Sequence, residues 1–505
     1  MNRQVNDQAA YNKVIAAFKK QRKGATAADI TARTALPLAV VREMVPRAAD
    51  EFSGRLEVTE SGEILYSFPH GFTSKYRGFG PAFSRFFARF CSGVKALGIL
   101  LFKIWIMVML VGYFVLFLLI ALAAVLLSVA AKSSNSNSRS RGDGGAGIFL
   151  GGRILDLVFR IWFYSELSRS FNGRPVRGPV RSGNSAKKAP LYKSIFSFVF
   201  GDGDPNKGWE ETEKKTVIAY LQTHRGVISL PEYMVLSGRE PIDAEEALMA
   251  FCAEFGGSPE ATDEGTVVYR FDELLLRNDK QDRSFAGASA PLKRLKAFSQ
   301  NKGGTNFWVG LINTVNLLFG SYFLVNALTT GIPPAILNNA PQRISSLYDF
   351  TIALFYQLTG ANPLTFVTIG LGFVPLIFSV LFWLIPAIRF FTLKGENESL
   401  KLENFRKIGY GRIWSAPSLV KSGEIKTAAA ECKPRSLSKA EDRVIKDMGA
   451  IALPDITIDA AGAEVYSFGG LEREKAALEK YRAGIDGGAS DLGKTVFDSH
   501  DMVIE

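Results

Sequence analysis

Gly62-Glu-Ile-Leu-Tyr66-Ser-Phe68, Gly265-Thr-Val-Val-Tyr269-Arg-Phe271 and Gly462-Ala-Glu-Val-Tyr466-Ser-Phe468 share one pattern and one internal spacing, and the copies start 203 and 197 residues apart. Alternating apolar positions after a glycine turn read as the second strand of a hairpin. Long apolar runs separate the copies. One small module is therefore expected three times, with membrane segments between the copies.

Working outward from the first copy, Val14, Ile15 and Phe18 recur at helical spacing within Tyr11–Lys23. Thr26-Ala-Ala-Asp29 opens a second helix, and Pro37 starts a third carrying Val40, Val41, Met44 and Val45. Leu56–Val58 and Ile64–Phe68 then form two strands. Around the second copy, Glu213–His224, Leu230–Leu236 and Asp243–Phe255 are the expected helices, with Asp243 and Glu246 at capping-box spacing. Around the third, Asn404–Gly409 and Ala416–Val420 are expected as the first helices and Ser438–Met448 as the third. Helix, helix, helix, strand, strand resembles the winged-helix module. The expected modules span 1–72, 205–282 and 394–482, with 483–505 a flexible tail.

Of 505 residues, 47% are hydrophobic, and they are strongly segregated. Uncharged or nearly uncharged runs at 104–130, 305–328 and 364–388 are long enough to cross a bilayer. Ile148–Tyr164 is apolar but carries Arg153, Asp156 and Arg160, so it either spans with its charges turned inward or lies in the interface. Gly360-Ala-Asn-Pro363 breaks the stretch after Leu347–Leu358, leaving a half-helix or re-entrant segment. The two intervening regions, 73–165 and 283–393, are read as transmembrane hairpins, and 166–204 as a basic aromatic linker. The fold class is thus an α+β membrane protein with three winged-helix-like cytoplasmic modules separated by α-helical hairpins.

Net charge is +11. Arg77, Arg85 and Arg89 interleave with phenylalanines before the first run, and Arg174, Arg177, Arg181, Lys187 and Lys188 follow Ile148–Tyr164. Such clusters suit anionic lipid headgroups and mark the cytoplasmic face. With no early apolar leader, they predict a multi-pass protein of a bacterial inner membrane with its N-terminus in the cytoplasm. The Arg77–Phe90 stretch is expected to lie flat at the headgroups.

Tyr192-Lys-Ser-Ile-Phe-Ser-Phe-Val-Phe-Gly-Asp-Gly-Asp-Pro-Asn206 is the most distinctive junction. Its aromatics suit a membrane-interface element, and Gly201–Asn206 a tight turn rather than a calcium loop. On this junction and the modular order, the chain resembles a group of bacterial and plastid multi-pass membrane proteins. Some members of that group carry an iron–sulfur assembly label. Cys91, Cys252 and Cys432 are scattered and form no C-x-x-C.

A DNA-reading winged helix needs a basic third helix. Residues 205–280 hold fifteen acids against eight bases, and the third helix there has four acids and no base. Asn313 and Asn316, within an apolar run, suit hydrogen bonds across helices or, more sharply, a polar path. No phosphate loop, H-E-x-x-H or G-x-S-x-G is present. The expectation is a non-enzymatic scaffold that docks partner proteins at a membrane, with no cofactor or metal and with homo-oligomerisation open. A membrane-tethered DNA regulator and a small-solute transporter are the alternatives.

Overall fold

Gly62, Gly265 and Gly462 have φ of +80°, +81° and +79° in the computed structural model of the protein. A residue without a Cβ enters this left-handed region freely. Each donates its amide to the carbonyl three residues earlier, Thr59, Thr262 and Asp459, at 2.9, 2.9 and 3.0 Å. The chain turns back there into an antiparallel hairpin. The tyrosine of each copy is paired on both sides. Tyr66, Tyr269 and Tyr466 face Leu56, Pro259 and Ile456 on one neighbour. They face Ala25, Ile228 and Val420 on the other. The motif is therefore the central strand of the second and third sheets, and in the first it lies between its hairpin partner and the Ala25 bridge. Its phenylalanine turns inward: Phe271 and Phe468 are fully buried, and Phe68 packs on Phe18 and Phe72 at 4.9 Å each.

The structure describes residues 2–21, 24–69, 71–73, 75, 79–133, 190–278, 290–333, 346–460, 462–485 and 492–499. They fall into two compact units: 1–79, 204–296 and 395–505 form one, and 80–203 and 297–394 the other.

The first unit holds all three repeats. Repeat one comprises α1 (Asn2–Phe18), α2 (Ala27–Thr34), α3 (Leu38–Glu51), β1 (Arg55–Thr59) and β2 (Ile64–Ser67). Thr26 and Asp29 close a reciprocal capping box at the start of α2. Repeat two comprises α6 (Trp209–Thr223), β3 (Val227–Ile228), α7 (Leu230–Ser237), α8 (Pro241–Phe255), β4 (Ser258–Ala261) and β5 (Val267–Arg270). Its capping box lies at Ser229 and Glu232. The box expected at Asp243 and Glu246 is absent, because Pro241 occupies the first helical turn and the helix starts earlier. Repeat three takes its first helix from the last turns of α11 (Leu364–Ser415). It continues with β6 (Val420–Lys421), α12 (Glu424–Ala428), α13 (Leu437–Ile451), β7 (Asp455–Ile458) and β8 (Glu464–Ser467). A helix at Ala416–Val420 does not form. Pro417 stops the helix, and its carbonyl accepts the Phe468 amide at 2.8 Å. The sheets are ordered β2-β1-β9, β3-β5-β4 and β6-β8-β7.

Two further elements belong to this architecture: helix α14 (Gly469–Gly484) follows repeat three, and strand β9 (Thr495–Asp498) pairs antiparallel with β1. Residues 492–499 are thus a strand and its approach rather than part of a flexible tail. Arg55 and Asp498 form an ion pair across β1 and β9, and Ser499 donates its amide to Leu56 at 2.9 Å. Repeats two and three share one apolar core running from Val217 through Phe271 to Phe468, while repeat one keeps its own around Ile30, Val41 and Val45.

The second unit is helical. It contains α4 (Phe79–Ser133), α5 (Leu191–Phe200), α9 (Gly303–Thr329), α10 (Leu347–Thr359) and the apolar part of α11. Gly93–Leu126, Gly303–Thr329 and Leu364–Ser415 are long and apolar enough to cross a membrane. A 27-residue helix extends about 40 Å against the roughly 30 Å of hydrocarbon. The separate flat helix expected before the first run is not formed: Phe79–Ser133 is one element, with no proline after Pro81 to interrupt it. Gly360, at φ +65°, ends α10 after 13 residues, about 20 Å. That half-helix buries Tyr348, Phe350 and Ile352 among Phe117, Phe323 and Leu371.

Candidate functional site

The helix that would read DNA in a winged helix is the third of each repeat. Here α8 touches both α3 and α13. The three third helices are therefore committed partly to one another. Arg42 on α3 is already engaged by Glu273 at 3.1 Å and Glu63 at 3.8 Å. Arg47 lies over the Tyr11 ring at 5.1 Å. On α8, Glu254 pairs with Lys214 at 2.6 Å. The cations a phosphate backbone would need are few and partly matched.

Long-range ion pairs join the repeats. Glu232, buried in α7, takes both guanidinium nitrogens of Arg482 on α14 at 3.0 and 2.7 Å. The same carboxylate accepts the Ser229 amide. Arg482 also donates to the Val227 carbonyl at 2.7 Å, which ties α14 to the first strand of repeat two. Tyr481 reaches Glu260, and Lys480 reaches Glu264. Beside this latch, Glu474 is half-buried in a cleft of about 740 Å³ shared with Glu245, Thr266, Tyr269 and Arg473. Burial first, and the Glu232 carboxylate second, push its carboxyl up to about 7. A second cleft, about 380 Å³, opens between repeats one and two among Lys13, Lys20, Arg33, Glu211 and Lys215.

Residues 290–296 form no helix or strand and are held by side-chain amides. Asn404, Asn206 and Asn397 each accept a backbone amide and return a hydrogen bond to the carbonyl of the same residue. The residues gripped are Lys293 (2.9 and 2.8 Å), Arg294 (2.8 and 2.8 Å) and Lys296 (2.8 and 2.9 Å). Each asparagine amide thus stands in for one rung of a β-ladder. Lys293 pairs with Glu403 at 2.7 Å, and Lys407 lies over the Trp209 ring at 4.8 Å.

In the helical unit, Asn313 and Asn316 are fully buried. Asn313 Nδ2 donates to the Ser379 carbonyl at 3.0 Å and Asn316 Nδ2 to the Leu110 carbonyl at 2.8 Å, each on a different helix from its own. A Cβ on Gly320 would lie 3.1 Å from Leu376 N, and one on Gly372 the same distance from Leu324 Cα. Small residues and bridging amides bring these helices into backbone contact. Helix α5 packs into this unit: Leu191, Ile195, Phe198 and Val199 are buried among Ile106, Leu110, Val309 and Phe382. The Arg389 guanidinium caps its C-terminus, donating to the carbonyls of Phe198 at 3.0 Å and Val199 at 2.8 Å, and to Phe298. Gly201 leaves room for it, since a Cβ there would meet Arg389 Nη2 at 2.7 Å. Asp202 accepts from Ser197 Oγ and the Gln300 amide.

Arg77, Arg153, Asp156, Arg160, Arg174, Arg177, Arg181, Lys187 and Lys188 lie outside the described residues, while Arg85 and Arg89 are placed on α4 by its backbone. Among the described residues no group of His, Cys, Asp and Glu is arranged to hold a metal. Cys252 and Cys432 are buried free thiols, the former pushed up by burial to about 11.

Sequence reasoning missed a second glycine in repeats one and two. A Cβ on Gly54 would meet Phe68 Cε1 at 2.9 Å, and one on Gly257 would meet Phe271 Cε1 at 2.3 Å. The motif phenylalanine lies directly on that backbone. The signal available was a glycine just before the first strand of each hairpin.

No family model matches the chain, and no solved structure matches it. It is similar to an uncharacterized chloroplastic protein of Arabidopsis thaliana, 23% identical over 429 residues that cover 83% of this chain and 75% of that one. This likeness overturns the expected bacterial inner-membrane location, because the matching protein is a plant plastid protein.

Proposed function

We propose that the chain is a non-enzymatic integral membrane scaffold whose three winged-helix-like modules dock partner proteins to assemble or regulate a membrane complex. The similarity to a chloroplastic protein points to a plastid as its setting. The observation that carries the proposal is the packing of all three repeats in one unit, although apolar helices long enough to cross a bilayer separate them in sequence. In support of the winged-helix reading, each repeat runs helices and then a hairpin whose second strand is also paired to a short upstream strand or, in repeat one, to a single bridge at Ala25. Modules that share a unit lie on one side of a bilayer. An even number of crossings then separates neighbours: Gly303–Thr329 with Leu364–Ser415 supplies two between repeats two and three, and Gly93–Leu126 is proposed to pair with Ile148–Tyr164 between repeats one and two. Arg77, Arg85, Arg89, Arg174, Arg177, Arg181, Lys187 and Lys188 are proposed to meet anionic headgroups on that side.

Protein docking is favoured over DNA reading because the third helices contact one another and repeat two is acidic. Two measurements test the proposal. Cysteines introduced beside Trp209 and Trp414 should react with an impermeant reagent from the same side of sealed vesicles. Purification in mild detergent should bring down a constant set of other chains. Labelling from opposite sides, or a preparation that is active with no second protein, would overturn it.

A further inference from the structure

The outer strands β1, β4 and β7 are equivalent, because Arg55, Ser258 and Asp455 each pair with the residue that follows the repeated tyrosine. Their free edges differ. The edge of β1 is covered by the chain's own β9, with Phe497 opposite Val58 and Asp498 on Arg55. Leu56 is the residue whose backbone faces outward: its carbonyl accepts the Ser499 amide at 2.9 Å and its amide donates to Ser499 Oγ at 3.0 Å. In repeat two the equivalent of Leu56 is Pro259. Proline offers no amide, so that edge is closed to a further strand. In repeat three the equivalent is Ile456, which keeps its amide.

The β7 edge is also apolar. Ile456 and Ile458 are 62% and 74% exposed, and the adjacent Leu453 is 88% exposed. Both isoleucines lie on one face, two residues apart. No strand pairs with this edge among the described residues. One charge is reversed relative to repeat one: Asp455 stands where Arg55 holds Asp498. A second copy of β9 would therefore bring Asp498 against Asp455, which disfavours that occupant.

We propose that β7 is an acceptor edge for an extended segment of a partner protein, added antiparallel as β9 is added to β1. The segment carries an aromatic or aliphatic residue opposite Ile458 and a lysine or arginine beside Asp455. Main-chain bonds through Ile456 would supply affinity, and the isoleucine face and Asp455 specificity. This rests on the scaffold function above and gives one of its docking faces a location and a partner chemistry.

The test uses the full chain in detergent and a fluorescent eight-residue peptide copying residues 492–499 with Asp498→Lys. Anisotropy should show binding to the wild type, about tenfold weaker to Ile456→Pro. That variant copies Pro259 and leaves the β7–β8 pairing intact, which exchange protection at 464–468 verifies. Asp455→Arg should reverse the charge preference, favouring the peptide with the natural Asp498 by about threefold. Equal binding by wild type and Ile456→Pro, or no reversal with Asp455→Arg, would overturn the proposal. A wild-type dimer that Ile456→Pro turns into a monomer would also overturn it, assigning the edge to a second copy. Loss of peptide discrimination with co-purifying chains retained would sink this inference and leave the scaffold standing. Discrimination with no co-purifying chain would do the reverse.

Discussion

Replacing Gly257 with alanine separates the two jobs glycine does in these hairpins. Gly265 needs its positive φ and nothing else, since a Cβ there would have no atom within 4 Å. Gly265→Ala should cost about 1–2 kcal/mol from backbone strain alone. Gly257 has the opposite problem. Its Cβ would stand 2.3, 2.6 and 2.7 Å from three atoms of the Phe271 ring, where carbon atoms prefer roughly 3.5–4.0 Å. The ring has nowhere simple to go: Phe271 is fully buried, packs edge-on against Phe251 at 5.5 Å, and its amide is bonded to Gly226 at 2.8 Å. The displacement required exceeds an ångström, so Gly257→Ala should reach the upper part of the usual overpacking range, about 2–3 kcal/mol. Because unfolding of such a chain is not a single two-state event, the readout is local. Hydrogen exchange of the 258–271 segment should accelerate roughly thirtyfold or more, against roughly fivefold to thirtyfold for Gly265→Ala. Phe271→Leu, which shortens the ring, should partly rescue Gly257→Ala, with a coupling of about 1 kcal/mol. Unchanged protection in Gly257→Ala, or strict additivity in the double variant, would refute the ring-on-glycine packing.

Three further outcomes are expected. Arg482→Met leaves the buried Glu232 carboxylate without its guanidinium; the loss should be about 3–5 kcal/mol and appear as early proteolytic release of α14. Glu474 is held up to about 7 from an ordinary 4.5, so the folded state retains its proton more tightly than the unfolded state. Stability from this group is fully present below about pH 4.5 and is lost as pH rises toward 7. Glu474→Gln should therefore be more stable than wild type by about 1–3 kcal/mol at pH 8, with the gap closing near pH 4.5; a pH-independent difference in melting temperature would contradict this. Asn316→Leu should lower the detergent melting point modestly, corresponding to about 0.6–1.7 kcal/mol for one interhelical bond, whereas a polar-path role would abolish function with stability intact.

The hairpins were legible because glycine, tyrosine and phenylalanine each do a separate job at a fixed distance: turn, strand pairing and core. The long apolar helices were legible from length, and the short helix ended at Gly360 from Gly360 and Pro363. The first strand of each sheet was not. Val227–Ile228 and Val420–Lys421 are two residues long, and Ala25 contributes a single bridge, so no period exists to read. The first helix of repeat three was legible at Asn404–Gly409, but its continuity with the apolar helix that begins at Leu364 was not, because no change of element marks where one ends and the other begins. β9 was hidden in a stretch rich in Gly, Ser and Asp, where only Val496 and Phe497 hint at a strand. The latch between Glu232 and Arg482 joins residues 250 apart, a distance at which charge pattern carries no information. The open β7 edge emerges only when three equivalent strands can be compared.

Holding residues 293–296 by their main chain has an evolutionary corollary. Asn404, Asn206 and Asn397 hold this stretch through its main chain, so this part of the grip does not depend on its side chains, while the pairs of Lys293 with Glu403 and Lys296 with Glu396 constrain its composition. The rest of the constraint has been moved elsewhere, onto three amides scattered across the sequence. A change of Asn206 to aspartate, nearly isosteric, would replace a donor with an acceptor facing the Arg294 carbonyl and expel the segment it now welcomes. Among distant relatives, the silent positions and the intolerant ones should therefore fall in different parts of the chain although they meet at one place in space.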